Sequence, residues 1–185
     1  MKKWMCIPVA VYPYAYMIAS ALLSLLEYAP DNINTDDAQF VILMILVFVY
    51  HILVLAVIIY HIVQSARGAV TAKDAAVMNM IVKGVHIPAY IFHFVIGLIG
   101  LLMSVWGIGL LMWAVIIDAA TIIVSGTFAL GCTIRIKKEN LMPTWAAVIT
   151  AVGSYIFCID VVIAVVYGVK CLIKRNEAVQ VSVSS

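Results

Sequence analysis

The chain has 185 residues, of which 66% are apolar and only 11% charged, with a formal charge of +2 and a mean hydropathy of +1.16. An ordinary soluble domain is about half apolar and a quarter charged, so this composition excludes a water-soluble globular fold and a disordered chain. The mild charge also excludes a nucleic-acid footprint, which needs a dense basic face.

Five apolar runs are long enough to cross a bilayer, so the sequence predicts an all-α integral membrane protein. The whole chain, 1–185, reads as one polytopic domain. The first helix covers 5–26 and follows Lys2 and Lys3. Its apolar run is too long for a signal peptide, and Pro8 and Pro13 predict a kink inside it. An acidic connection from Glu27 to Asp37 follows, with four carboxylates and no Lys or Arg. Asp36 with Gln39 predicts a capping box at the start of the second helix, 38–63.

Gln64 to Lys83 carries Arg67, Lys73 and Lys83 and reads as a connection. Its apolar middle either lies on the interface or extends the next helix. The stretch from Val85 to Ile134 holds one internal charge, Asp118. At about 1.5 Å per residue it is too long for one crossing and too short for three. A break at Ser104 to Gly109, where two glycines permit a turn, gives helices over 85–103 and 110–134. The fifth helix is predicted over 144–169, after a basic connection, with a tail over 170–185.

Lysine and arginine counts put the N-terminus in the cytoplasm, in a multi-pass arrangement suited to a bacterial cytoplasmic membrane. Lys2, Lys3, Arg67, Lys73, Lys83, Arg135, Lys137 and Lys138 then share the inner side. Trp4 and Trp145 fall at inner ends, and Trp106 and Trp113 flank the outer turn, as interfacial tryptophans do. The tail is in conflict with this. Five crossings send Lys170, Lys174 and Arg175 outside.

Few groups carry chemistry. The four cysteines, Cys6, Cys132, Cys158 and Cys171, form no C-x-x-C pair and have no zinc spacing, so they read as small apolar fillers. No phosphate loop, G-x-S-x-G or H-E-x-x-H occurs. Connections this short leave little outside the bilayer to shape a substrate pocket, so an enzyme is not the expected reading.

An ionisable side chain in mid-membrane costs roughly 2.5–3.5 kcal/mol on insertion scales and is a functional suspect by default. Asp118 and Asp160 qualify, and their predicted depths match. Two adjacent carboxylates cannot both ionise cheaply, which suits a proton or cation pathway. Four histidines form a second set, with His61 level with His86 and His51 level with His93. Paired histidines across two helices are how a bundle holds a b-type haem, although His51 and His61 lie about 80° off a common face. His51 or His93 could instead partner Asp118 or Asp160, giving one site of Asp118, Asp160, His51 and His93. Tyr12, Tyr14 and Tyr16 are spread around their helix and read as packing or interface groups. Small residues at Ala15 and Ala19, Ala147 and Ala151, and Thr150 and Ser154 form seams for close helix approach or a homo-oligomer.

Three functions remain open on sequence grounds. The first is an accessory or interaction membrane protein whose partners are lipid and other membrane helices. The second is a small proton- or cation-linked carrier component using Asp118 and Asp160. The third is a haem-bearing electron carrier; no other cofactor is expected.

Overall fold

The computed structural model describes residues 3–27 and 36–184. The acidic connection over 28–35 and the side chain of the cap expected at Asp36 lie outside the described residues. Among those described, the chain is all helical, with no strand. A 3₁₀ turn, Lys3–Cys6, leads into α1, Ile7–Ala10, and α2, Tyr12–Glu27. Then come α3, Asp36–Arg67, and α4, Ala72–Leu102. A 3₁₀ turn at Ser104–Gly107 leads to α5, Ile108–Lys138. The chain closes with α6, Thr144–Gly153, and α7, Ile159–Ser184.

Among the described residues, three helices are long and apolar enough to cross a membrane: Ala38–Arg67, Ala72–Leu102 and Ser104–Lys138. A fourth such unit is bent, with Trp4–Ala10 and Tyr12–Leu25 meeting at 50°. The kink expected in the first helix sits at Val11, between Pro8 and Pro13. Each proline is the second residue of its own helical segment, where a missing N–H costs no intrahelical bond. The bundle encloses a set of polar groups within an apolar core and presents an apolar exterior. His61, Asn79, Lys83, His86, His93, Thr121, Ser125 and Asp160 are buried, while large apolar side chains of every long helix are exposed. Lipid is the solvent that suits such a surface.

The third helix begins well before the expected Val85. Thr71 Oγ1 accepts a hydrogen bond from the Asp74 N–H at 3.1 Å and donates to Asp74 Oδ2 at 3.0 Å. This reciprocal cap starts α4 at Ala72. Consequently Lys83 is not on a surface connection. It lies about 16 Å along the helix and is wholly buried.

The turn between α4 and α5 falls where the sequence predicts it, for a different reason. The left-handed residue is Ser104, with φ of 55°. Gly107 is there for close approach: a Cβ on it would run into the backbone of Gly100.

The stretch read as a fifth helix, 144–169, is two helices. α6 ends at Gly153, and the backbone turns through 154–158, with Cys158 at φ 62°. α7 then runs back beside α6. Ala146 packs in one cluster with Cys171, and a Cβ on Gly153 would strike Ile163. Within and after the turn, Tyr155 N–H donates to Val152 O, Ile156 N–H to Gly153 O, and Asp160 N–H to Ile156 O.

The hairpin returns α7 to the end where α6 began. Lys174 Nζ donates to the Asn140 carbonyl at 3.2 Å, and Cys171 Sγ lies 4.0 Å from Ala72 O. Lys138 Nζ reaches Ala66 O at 2.7 Å, and Glu139 joins Arg135 to the Ala72 N–H. The 67–72 and 138–143 connections and the second half of α7 therefore share one basic end. The tail's Lys170 and Lys174 thus lie on the same end of the bundle as the other basic connections.

Candidate functional site

One buried stripe of α4, facing α5 and α7 and, at His86, α1, follows an unbroken alternation of four and three residues: Ala72, Ala76, Asn79, Lys83, His86, Tyr90, His93, Gly97 and Gly100. This spacing keeps one stripe facing the partner helices. Small residues at both ends let the helices close in. The middle carries polar groups, opposed on α5 by Asp118, Thr121 and Ser125.

At the hairpin tip, Lys83 Nζ lies 2.7 Å from Asp160 Oδ2, with neither side chain exposed. Lys83 also donates to Ser125 Oγ at 2.7 Å and to the Ser154 carbonyl at 3.3 Å. An ammonium has three donors, and all three are used. Asp160 Oδ2 also accepts from Tyr90 Oη at 3.2 Å, and Oδ1 accepts from the Val161 N–H at 2.8 Å. Asp160 stands in the first turn of α7, where the helix dipole favours a negative charge. The chain folds this way locally because Gly126 gives room: a Cβ there would come within 2.9 Å of the Ser154 carbonyl and the Tyr155 ring.

The second pair lies toward the other end of the bundle. His93 Nδ1 is 2.7 Å from Asp118 Oδ1. His93 is buried, but Asp118 keeps 16% of its side chain exposed. Trp113 stands edge-on to His93, with ring centroids 5.2 Å apart, and donates its indole N–H to Ser20 Oγ at 2.9 Å. This corrects the expectation for Trp113, which is half-buried inside the bundle. Trp4, Trp106 and Trp145 are exposed, as interfacial groups are. Asp118 and His93 line a groove of about 430 Å³ whose walls include Phe94, Leu98, Leu111 and Phe157.

Asp118 and Asp160 do not pair with each other; each has a cationic or potentially cationic partner on α4. Of the four expected site residues, Asp118 and His93 come together. Asp160 sits with Lys83 and Tyr90. His51 is elsewhere, bonded to Tyr16 and 3.1 Å from Tyr12 Oη, with Nδ1 2.8 Å from Val47 O. Tyr12 and Tyr16 are four apart and share that face, while Tyr14 points away and donates to Val85 O.

The two expected histidine levels are not formed. His61 stacks on Phe128 and lies 3.8 Å from Cys132 Sγ, and His86 Nε2 meets Val9 O at 3.0 Å. Among the described residues no two histidines touch, and no three His, Cys, Asp or Glu side chains cluster as metal ligands. Lys83 and Tyr90 were missed on sequence grounds. Two signals could have found them: the T-x-x-D cap at Thr71, and the four–three spacing that links Lys83 to His86 and His93.

Comparison with protein-family models, curated proteins and solved structures finds no match for this chain.

Proposed function

We propose that this membrane protein is a small carrier component that binds a proton or cation at His93 and Asp118. One observation carries the reading. The His93–Asp118 pair sits about 14 Å along its helices from the α4–α5 turn, and its carboxylate is partly open to a groove. A charge at that depth is expensive and is retained where it serves an ion path. Lys83 and Asp160 act differently in this reading. They fasten the hairpin whose Phe157 forms part of the groove wall.

We further infer that the basic end faces the cytoplasm of a bacterial cell. The sequence places Lys73, Lys137, Lys138, Lys170, Lys174 and Arg175 toward that end, which accords with the positive-inside rule. The groove then opens in the outer half of the membrane.

The test is proton flux into liposomes holding a trapped pH dye, driven by a potassium diffusion potential. The expected result is acidification above that of protein-free liposomes, lost in Asp118→Asn. Flux equal to the protein-free control overturns the carrier reading. It would favour an accessory membrane protein, a reading supported by the complete internal satisfaction of Lys83–Asp160.

A further inference from the structure

We propose that the basic end of the bundle binds anionic phospholipid heads in preference to zwitterionic ones, at a cluster built around the 67–72 connection. This site lies away from the groove of Asp118, and the inference does not depend on the carrier reading.

The cluster is brought together by tertiary contacts. Lys138 Nζ donates to the Ala66 carbonyl at 2.7 Å, which sets it beside the last residue of α3, Arg67. Gly68, at φ 89°, lets the connection close over Arg135: a Cβ there would lie 3.2 Å from Arg135 Nη1. Arg135 Nη2 donates to Glu139 Oε1 at 2.6 Å, and the same oxygen accepts from the Ala72 N–H at 2.9 Å. The start of α4, with Lys73, is thereby tied to the end of α5. Arg67, Lys73 and Lys138 are all exposed.

The local carboxylates are already engaged. Glu139 is held by Arg135, and Asp74 is bonded to Thr71 at the α4 cap. An ammonium has three donors, and Lys138 uses one of them on Ala66. Charge elsewhere adds to the same field. Apart from buried Lys83, every Lys and Arg beyond residue 3 belongs to this end. Lys174 Nζ lies on the Asn140 carbonyl, and Lys170 stands 5.5 Å from the Tyr167 ring centroid. Clustered cations at a membrane surface attract anionic heads.

Position selects a lipid over a soluble anion. Arg67 ends α3, Lys73 lies in the first turn of α4, and Lys138 ends α5. Just inward along the same helices are exposed Ile59, Val63, Ile81 and Ile134. A phosphate at the cluster therefore has hydrocarbon-facing surface directly beneath it for acyl chains. A soluble phosphate would use the cations and leave that surface idle.

The experiment is native mass spectrometry of the full chain in non-ionic detergent, with phosphatidylglycerol and phosphatidylcholine of matched chains added at equal concentration. Retention of phosphatidylglycerol over phosphatidylcholine is expected. Raising ammonium acetate from about 0.1 to about 0.5 M should weaken it, as screening requires. Arg67→Gln/Lys73→Gln should lower phosphatidylglycerol affinity about fivefold for each cation removed. Both side chains are exposed, so a melting temperature close to wild type is expected. Arg67→Lys/Lys73→Arg, which keeps the charge, should keep the preference. Lys170→Gln/Lys174→Gln should have the smaller effect. Glycerophosphoglycerol, the same head without chains, should not displace the lipid at equal concentration.

Equal retention of the two lipids overturns the proposal, and so does a preference unchanged in Arg67→Gln/Lys73→Gln. A loss as large in Lys170→Gln/Lys174→Gln would overturn the placement at the 67–72 connection. Displacement by glycerophosphoglycerol would make the end a soluble-phosphate site and overturn the lipid assignment.

Discussion

Two polar pairs sit on one face of α4, and they differ in how completely they are closed. Lys83–Asp160 has no exposed side-chain surface, and the three lysine donors and both aspartate oxygens are engaged. His93–Asp118 has a buried imidazole with one idle nitrogen and a carboxylate 16% exposed. A sealed pair has nothing left to offer a ligand. Its contribution is to position the hairpin, and its cost on disruption is large, because either charge left alone is buried without compensation. An open pair stabilises less and keeps part of its carboxylate within reach of a ligand. Charge burial in this bundle therefore separates a fastening from a binding position.

The largest expected effect is all-or-none. Asn140→Cys and Glu177→Cys should react with an impermeant maleimide from the same side of the membrane, and Trp106→Cys from the other, in a background lacking Cys158. Labelling of Glu177→Cys from the Trp106 side would mean that the last element crosses and that the sealed pair is misplaced. Next, Asp160→Ala should lose about 3–5 kcal/mol of stability, the cost of stranding a buried partner, read as a fall in melting temperature in detergent. The double change Lys83→Met/Asp160→Leu should recover most of it, since a well-packed apolar pair can replace a buried ion pair.

A smaller loss tests the fit of the hairpin tip. Gly126→Ala puts a methyl against the Ser154 carbonyl and the Tyr155 ring and should cost about 1–3 kcal/mol, as overpacking does. The smallest effect is expected at the open pair. Asp118→Asn keeps a hydrogen-bonding oxygen toward His93, so its stability change should stay near the ~0.6 kcal/mol typical of interhelical hydrogen bonds. If Asp118→Asn destabilises as much as Asp160→Ala, the two pairs are equivalent and the contrast collapses.

Composition and periodicity settled much of the fold. Apolar runs long enough for a bilayer, the kink at Pro8 and Pro13, and the turn near Gly107 follow from local chemistry acting within a few residues. So does the suspicion attached to Asp118 and Asp160, because charge in hydrocarbon is costly wherever it points. Local chemistry also held signals that were overlooked. The cap at Thr71 and the four–three stripe through Lys83 move a lysine from surface to core.

Other features were decided only by tertiary structure. Hydropathy cannot distinguish one crossing over 144–169 from a turn back within it, since the stretch is strongly apolar on both sides of the turn. The difference lies in Gly153 against Ile163, Gly126 against the Ser154 carbonyl, and Lys83 reaching Asp160 across 77 positions of sequence. Which carboxylate is sealed and which is open was likewise beyond the sequence. Each aspartate's state depends on the number of donors neighbouring helices bring within about 3 Å, and that number is fixed by packing, not by the residue or its depth.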